Sequence, residues 1–405
     1  MRKFLLRERS SSSALPFILA SAAFSAMSLS ITFPVLPQII EGMASDPRHA
    51  GWINGALIAL WSALHFLAAP VLGALSDRYG RKTVIVLSNA GFAADYLLIA
   101  FAPDLFWLVL GRVFSGLLSG NVAASHAYVA DITAPGDRAS AFGALRAAIA
   151  VGFICGPVVG GLLGALGERL PFFVSAAAAG FVALYGAVLL PESLPQRDRA
   201  PFRWQSANAF GSIKWLLTIR QLNNLTLIAF LAQFAHHALQ ATFVLYATNR
   251  FGLSKTAIGV AFGVMGVCAI LANTLVLRAV LKRLSEKGAL VFSLAAGAAG
   301  FLMYGTAPNS LVFWLAIPVM ALWGMSGPVA QALMTREVGP REQGRLQGGV
   351  SSVAALSGIV GPMLFGIIYY AVSDYPLIAG GPFLIASVIL GAAAFISSRN
   401  VRDAR

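Results

Sequence analysis

The chain has 405 residues, of which 58% are hydrophobic and only 11% are charged. A soluble domain carries about a quarter charged residues, so this composition excludes a soluble protein with polar surfaces on every domain. The 29 Lys and Arg residues outnumber the 16 Asp and Glu residues, which gives a formal net charge of +13.

Apolar runs long enough to cross a hydrocarbon core of about 30 Å occur twelve times, and we number these predicted spans one to twelve. The first six cover about residues 15–40, 53–75, 84–103, 105–127, 141–165 and 171–190. The last six cover about residues 224–248, 256–280, 289–307, 311–334, 346–372 and 377–396. Span one follows Arg2 and Lys3 like a secretory signal, but cleavage after Ala22 would cut a continuous helical pattern. We therefore predict an uncleaved first helix.

The basic residues predict the orientation of the chain. With both termini in the cytoplasm, 23 of the 29 Lys and Arg residues fall on the cytoplasmic side and four on the outer side, while Arg112 and Arg146 lie within spans. This bias is typical of the positive-inside rule. Membrane topology therefore explains the net charge, and no basic patch is left over for a nucleic-acid partner.

An internal repeat divides the chain into two halves. A shift of 205 residues brings distinctive residues into register without a gap. The matched pairs are Arg78 and Arg283, Lys82 and Lys287, Pro135 and Pro340, Gly143 and Gly348, and Gly156-Pro157 and Gly361-Pro362. We predict two pseudo-symmetric six-helix bundles, 1–190 and 222–405, joined by a cytoplasmic linker at 191–221. Duplicated bundles of this kind bind substrate at their interface near the bilayer midplane.

Two motifs stand out from the apolar background. The loop between spans two and three contains Gly73, Asp77, Arg78, Gly80, Arg81 and Lys82. Its glycines allow a tight turn, and its cations hold the loop at the inner leaflet. Span five contains Gly152, Gly156, Pro157, Gly160 and Gly161. Small residues one turn apart let helix backbones approach closely, and the proline bends the helix.

These motifs are similar to those of the major facilitator superfamily. The loop resembles the signature G-x-L-x-D-R-x-G-R-K, and span five resembles the G-x-x-x-G-P-x-x-G-G motif of the drug–proton antiporters. Arg112 and Gly116 in span four are similar to a mid-helix arginine motif often tied to proton coupling. The resemblance implies an all-α membrane protein with twelve transmembrane helices, in which the loop and span five act in conformational gating.

Within the superfamily, the chain most resembles the tetracycline-efflux branch. The matching stretches are Phe33-Pro34-Val35-Leu36-Pro37, Asp95-Tyr96-Leu97-Leu98, Asn249-Arg250-Phe251-Gly252, Leu346-Gln347-Gly348 and Gly361-Pro362-Met363-Leu364-Phe365. Three positions depart from that branch. Ser25 stands where it carries an acid, and Cys268 stands where it carries a histidine. Its span-nine acid, which is central to proton exchange, is missing, because residues 288–308 contain no acidic or basic side chain. The resemblance therefore implies the fold of that branch for this chain, but it does not imply tetracycline as the substrate or the same proton pathway.

Helical periodicity predicts polar faces on spans one, four and seven. At 100° per residue, narrow arcs collect Ser21, Ser25, Ser28 and Thr32 in span one, Arg112, Ser115, Ser119 and His126 in span four, and Thr226, Gln233, His236, His237 and Gln240 in span seven. Polar stripes avoid lipid, so they face water or one another. The expected substrate contacts are Ser25, Ser28, Thr32, Ser115, Ser119, Gln233, His237 and Gln240, with Trp323 of span ten as an aromatic wall. Hydrogen bonding between helices is the alternative.

Asp95 and Arg112 are the intramembrane charges of most interest. Both lie about eight positions from the turn at Pro103-Asp104, so both sit about 12–13 Å below the outer end of their helices. Equal depth on neighbouring antiparallel helices predicts an ion pair. Such a pair either neutralises two buried charges or contains a carboxylate that binds and releases a proton. His236 and His237 are secondary candidates for proton coupling.

Three functions remain open from the sequence. The first is a proton-coupled exporter of an amphiphilic organic compound or drug, similar to the tetracycline exporters, working by alternating access as a monomer in the bacterial inner membrane. The second is an uptake or facilitative carrier of a small metabolite, and the third is a non-transporting membrane sensor. We find no pattern typical of an enzyme, a cofactor or a metal site, and Cys155 and Cys268 both fall inside spans.

Overall fold

The computed structural model describes residues 2–134, 137–199, 216, 218, 220–338, 343–375 and 378–401. Within this part of the chain the regular elements are helices, and twelve of them are long and apolar enough to cross a membrane. The spans are Leu15–Met43, Pro47–Tyr79, Arg81–Phe101, Leu105–Ile132, Ser140–Leu166, Leu170–Leu189, Leu222–Phe251, Lys255–Leu281, Glu286–Thr306, Ser310–Arg336, Gly348–Val372 and Gly381–Asn400. The prediction of twelve spans is therefore confirmed.

Several spans consist of more than one helix. Span one contains helices Arg2–Ile31 and Leu36–Met43, and span two contains a short turn at Pro47–His49 before helix Ala50–Tyr79. Span four contains Leu105–Leu118 and Asn121–Ile132, and span ten contains Ser310–Trp323 and Ser326–Arg336. Span eight runs through Lys255–Leu271, a π-helical turn at Ala272–Val276 and Leu277–Leu281. The helices of spans five, seven and eleven begin before the spans, and are Arg138–Leu166, Arg220–Phe251 and Gln343–Val372.

The interruptions of spans four and ten occupy matching places in the internal repeat. Helix Leu105–Leu118 ends one residue before Ser119, and the next helix begins at Asn121. In span ten the corresponding residues are Trp323, Gly324 and Ser326, each 205 positions further along the chain. The two halves therefore share these breaks as well as their sequence motifs.

Local signals explain where many helices begin. Asp104, Ser254, Ser285 and Asn309 each accept a hydrogen bond from a backbone N–H in the first turn of the following helix. These side chains replace the missing intrahelical partners of that turn. Gly80 precedes span three with φ of 104°, a left-handed conformation that favours glycine. The short turns between spans thus follow from residue type.

The described helices form two compact units. The first comprises residues 1–36 and 64–208, and the second comprises residues 37–63 and 209–405. The connection between spans one and two therefore groups with the second half of the chain. Asn54 illustrates this grouping, because its Nδ2 donates a hydrogen bond to the Ala241 carbonyl in span seven at 3.0 Å. The predicted bundles 1–190 and 222–405 remain a prediction, and most of the linker at 191–221 lies outside the described residues.

In the first unit, span one packs on spans five and six, while span three packs on spans four and six. Glycines set the contact between spans one and five. A Cβ atom built on Gly152 would lie 2.8 Å from the Ala26 Cβ, and one on Gly160 would lie 2.8 Å from the Ile31 carbonyl carbon. These distances are too short for any real side chain, so the two helix backbones are in direct contact.

In the second unit, span seven packs on spans eleven and twelve, and span nine packs on spans ten and twelve. An aromatic core fills this unit. Its members are Phe243, Tyr246, Tyr304, Phe313 and Phe383, whose ring centroids lie 5.0–6.3 Å apart in each contacting pair. Offset and edge-to-face aromatic pairs of this kind stabilise a core beyond their burial alone.

Candidate functional site

Asp95 and Arg112 form the predicted ion pair in the first unit. Arg112 Nη2 lies 2.9 Å from Asp95 Oδ2, and the exposed fractions of the two residues are 9% and 1%. Asp95 Oδ1 faces Gly111, where a Cβ atom would overlap it, and the Ser115 hydroxyl also lies beside the carboxylate. Glycine at this position therefore makes room for the buried carboxylate.

The polar face of span one is buried, and most of its hydroxyls are already hydrogen-bonded. Ser25 Oγ donates to Asn89 Oδ1 of span three at 2.7 Å. The Ser28 and Thr32 hydroxyls donate to carbonyls of their own helix, those of Phe24 and Leu29. Ser25, which stands where the tetracycline-efflux branch carries an acid, thus contacts the side-chain amide of Asn89. Asn89 was not identified from the sequence.

The break in span four has side-chain partners from two other spans. His65 Nδ1 of span two lies 2.6 Å from the Ser119 hydroxyl, which donates to the Gly116 carbonyl at 3.0 Å. The Gly120 N–H donates to the Ser88 hydroxyl of span three at 3.1 Å. The Ser115 hydroxyl lies 3.5 Å from the Arg112 carbonyl. Sequence reasoning missed His65 and Ser88, because the periodic faces were sought only on spans one, four and seven.

His237 is the centre of a polar network in the second unit. Its Nδ1 lies 2.7 Å from Gln240 Oε1, and its Nε2 lies 3.2 Å from the Ser357 hydroxyl of span eleven. The ring covers Gly361, where a Cβ atom would lie 2.6 Å from His237 Cδ2. His237 is 4% exposed, so this network replaces water around the imidazole. Ser357 lies outside the motifs and polar faces found in the sequence, so its contact with His237 was not predicted.

His236 and Trp323 form a second, aromatic contact beside this network. Their ring centroids lie 5.6 Å apart, and Trp323 also contacts Phe301 at 5.7 Å. Trp323 Nε1 is buried and makes no hydrogen bond with the described residues. Gln233 is partly buried, and Gln240 is exposed. The structure thus places His236 against Trp323 of span ten and His237 against Gln240 one turn along span seven, and their role in substrate binding stays a prediction.

The signature loop is held by acids that lie far away in the sequence. Arg81 contacts Asp77 one turn earlier, and its Nε lies 3.2 Å from Asp131 Oδ2 at the end of span four. The Arg81 N–H donates to Glu192 Oε1 at 2.8 Å, after span six. The Glu192 carboxylate also fills the space where a Cβ atom at Gly80 would be. Sequence reasoning missed Asp131 and Glu192.

The remaining residues of the two motifs are less constrained. The Arg78 guanidinium lies 5.1 Å from the Tyr79 ring centroid, Lys82 is partly buried, and nothing lies within 4 Å of a Cβ atom built on Gly73. Pro157 lies inside helix Arg138–Leu166, and Gly161 is buried.

The same position in the second half carries an ion pair of reversed sign. Arg336 Nη2 lies 2.6 Å from Glu286 Oε1. Shifted by 205 residues, Arg81 corresponds to Glu286 and Asp131 corresponds to Arg336. Both pairs join the first residue of a span to the end of the following span. Within the described residues, no group of three or more His, Cys, Asp or Glu could hold a metal ion.

Comparison with known proteins identifies relatives along most of the chain. The sequence model of the Major Facilitator Superfamily matches residues 18–362 and 225–404. The class C tetracycline resistance protein of Escherichia coli is 35% identical over 364 residues, covering 89% of this chain and 91% of that protein. The class G tetracycline resistance protein of Vibrio anguillarum is 32% identical over 351 residues, covering 85% and 88%.

Among solved structures, the nucleoside transporter NupG superposes with a TM-score of 0.78 at 14% identity. The match covers 96% of this chain and all 100% of that one. At this identity, the likeness extends to the fold.

Proposed function

Since the chain belongs to the Major Facilitator Superfamily, we propose that it exports an amphiphilic organic compound in exchange for protons by alternating access. Its twelve spans and bacterial relatives make it a multi-pass transporter of the inner membrane, in a family of transporters rather than enzymes. The relatives named tetracycline resistance proteins support efflux of a drug-like compound as the direction of transport. We further propose that it works as a monomer with both termini in the cytoplasm.

The buried ion pair of Asp95 and Arg112 is the observation that carries this proposal. Removing two charges from water costs free energy, and apolar residues of similar volume in their place are often at least as stable, so the pair is poorly explained by stability alone. An acid within a span is therefore a candidate for a functional role. Asp95 lies well inside span three, fourteen residues after its start at Arg81, and is 1% exposed.

Proton exchange requires only that the pair opens and closes. While Arg112 lies against Asp95, the guanidinium stabilises the ionised carboxylate. When the two separate in a site that excludes water, the carboxylate binds a proton rather than remain charged without a partner. Closing the pair releases the proton. One acid thus binds a proton in one state of the cycle and releases it in the other.

His237 is a secondary proton site. The Ser357 hydroxyl donates to the Ala354 carbonyl at 2.7 Å, so it offers a lone pair to His237 Nε2. Gln240 Oε1 offers a second acceptor at Nδ1. Two acceptors suit an imidazole with both nitrogens protonated, and rotation of the Gln240 amide suits the neutral ring. His236 is the neighbouring candidate.

Gating is proposed for the signature loop and for the glycines of span five. The loop residues are Gly73, Asp77, Arg78, Gly80, Arg81 and Lys82. Arg81 joins the ends of spans two, four and six through Asp77, Asp131 and Glu192, so breaking these contacts frees three helix ends together. Gly152, Gly156 and Gly160 lie against span one, and Pro157 and Gly161 of the same motif are assigned to the same gate.

Substrate binding is proposed for the polar residues of each unit. In the second unit they are Gln233, His237, Gln240 and Trp323. In the first unit they are Ser25, Ser28, Thr32, Ser115 and Ser119. Ser28 and Thr32 donate to their own helix and can still accept a hydrogen bond, since each hydroxyl oxygen keeps a lone pair.

Transport in proteoliposomes, with and without a pH gradient, tests the function. We expect the gradient to drive accumulation of substrate by the wild type, and we expect Asp95→Asn to abolish that accumulation while sparing exchange of substrate for substrate. Asp104→Asn is the matched control, because Asn also caps a helix and Asp104 lies in a turn between spans. Gradient-driven accumulation by Asp95→Asn would contradict the proposed role of this acid.

A facilitative carrier is the second candidate. The neutral contact of Ser25 with Asn89 and the lack of an acid among residues 288–308 favour it, because both sites could have carried protons. A wild type whose transport is indifferent to the pH gradient would support this function instead. A chain that binds substrate and moves none would support the sensor.

A further inference from the structure

The acids of the membrane-spanning helices are distributed unevenly with depth. In the described spans, Glu41, Asp77, Asp131 and Glu286 all lie within three residues of an end of their span, and Asp95 alone lies deep inside one. Spans seven to twelve contain no deep acid within the described residues. Apart from Asp95, the deep polar groups of the described spans are therefore basic or neutral.

Asp95 does not offer its charge to a ligand. Arg112 Nη2 lies 2.9 Å from one carboxylate oxygen, and Gly111 of the same helix as Arg112 covers the other. With the residue 1% exposed, its charge is neutralised within the protein. When it takes up a proton in the transport cycle, it becomes neutral and leaves Arg112 as the charged group.

The other polar groups described inside the spans of each unit are neutral or basic. The second unit presents His237 with Gln240 and Ser357, and the His236 ring packs at a tilt against Trp323. In the first unit, the Ser119 hydroxyl lies beside His65, and Ser25 pairs with Asn89. Imidazoles are either uncharged or positive, and hydroxyls and amides are uncharged.

A cation finds no compensating charge among these groups. A positive group that leaves water must be paired with a carboxylate or remain unfavourable. Contact with the Trp323 face recovers only part of this loss, since a cation–π contact is weak compared with hydration. A neutral or anionic compound meets hydrogen-bond donors from the imidazoles and amides and meets no opposing charge.

We propose that the transported compound is an aromatic molecule of zero or negative net charge, and that the lack of a deep acid in the described spans of the second unit excludes cationic amphiphiles. The proposal rests on the proposed export function and names its substrate class. The aromatic surface of His236 and Trp323 contacts the ring of the compound, and the Gln240 amide and the His237 imidazole bind its polar substituents.

Three naphthalene compounds with one ring system test the charge preference. They are a naphthalenesulfonate, which is anionic, naphthol, which is neutral, and naphthyltrimethylammonium, which is cationic. Binding to the purified full chain is measured by fluorescence titration in detergent. We expect the sulfonate and naphthol to bind at least about tenfold more tightly than the ammonium compound. Equal affinities, tighter binding of the cation, or no binding of any of the three would each overturn the proposal.

A charge introduced on the polar face sharpens the test. Gln233 lies two turns before Gln240 on the same face of span seven, and Glu has the same shape with one negative charge. In Gln233→Glu we expect the affinity for naphthyltrimethylammonium to rise by about tenfold and that for the sulfonate to fall. Gln233→Met is the uncharged control. An unchanged preference in Gln233→Glu would show that charge does not select the ligand and would overturn the proposal.

Transport of the same compounds separates this proposal from the export function. Selective binding of the neutral and anionic compounds, without movement of any of them across a proteoliposome membrane, would contradict export and leave the charge preference standing. Export of the cation at a rate equal to that of the sulfonate would leave export standing and overturn the charge preference.

Discussion

Span five on span one and span eleven on span seven use the same Gly-Pro motif for different purposes. In the first unit, Gly156 lies against the backbone of span one, and a Cβ atom there would be 2.8 Å from the Met27 carbonyl oxygen. In the second unit, the matching Gly361 lies under the His237 ring, and a Cβ atom would be 2.9 Å from His237 Cβ. The space left by the missing side chain is filled by the Ser30 hydroxyl and backbone atoms of span one in the first unit and by a titratable ring in the second. A shared motif therefore indicates shared geometry, and its chemistry is set by the facing helix.

The largest effect is expected from Gly156→Ala. The methyl group meets backbone atoms of span one, which cannot move aside, so overpacking should destabilise the fold by about 1–3 kcal/mol. Thermal unfolding of purified protein in detergent measures this loss. Gly143→Ala is the matched control in the same helix, because nothing lies within 4 Å of its Cβ position. Equal melting temperatures for the two variants would contradict the tight contact.

Asp77→Asn is expected to impair transport severely and leave insertion intact. Asp77 contacts Arg81 in the first half. The residue that corresponds to Asp77 in the second half is Lys282, which is basic, so the same contact of an acid with a base one turn later is specific to the first half. We expect transport rates in proteoliposomes to fall by about tenfold or more, since one state of the cycle loses a contact that the other state does not have. Wild-type rates in this variant would refute a gating role for the loop.

Gly361→Ala should affect binding more than stability. The methyl group meets the edge of a side chain, so the His237 ring shifts and its contacts with Gln240 and Ser357 weaken. We expect apparent substrate affinity to fall by about threefold to tenfold, the cost of one hydrogen bond. His237→Ala and Gln240→Ala should give similar losses, and Leu231→Ala, on the opposite face, should not. Equal losses on both faces would make the polar stripe a packing feature.

The smallest effect is expected from the exchange Glu286→Arg with Arg336→Glu. This double variant reproduces in the second half the sign of the Arg81–Asp131 pair. Since the Arg336 side chain is 54% exposed, the pair contributes about 0–1 kcal/mol, and the exchange should leave transport nearly unchanged. Each single variant places like charges together and should slow transport. Failure of the double variant to recover would contradict the equivalence of the two pairs.

The sequence predicted the parts of the molecule that depend on local pattern. Hydropathy identified the twelve spans, and equal depth from one turn identified the contact of Asp95 with Arg112. The partners that complete the site are non-local, and a single sequence does not pair them. Glu192 reaches Arg81 across 111 residues, and Ser357 reaches His237 across 120.

The breaks in spans four and ten were also not predicted. Gly120 and Gly324 lie close to other glycines, Gly116 and Gly327, and a glycine inside a helical pattern does not by itself mark a break. Residues 37–63 group with the second unit through contacts such as that of Asn54 with the Ala241 carbonyl. Such contacts depend on the packing of separate helices and leave no periodic signal in the chain.

The break at Ser119–Gly120 divides span four into two helical segments that can tilt relative to each other. The segment Asn121–Ile132 has 12 residues and a length of about 18 Å. A tilt of about 10° at the joint would displace its far end by about 3 Å while Arg112, on the other segment, stays in place. Arg81 Nε lies 3.2 Å from Asp131 Oδ2, so a displacement of this size is enough to break their contact. The signature loop can thus separate from span four while the buried pair of Asp95 and Arg112 stays intact. Loop release and opening of the pair then become separable steps of one cycle.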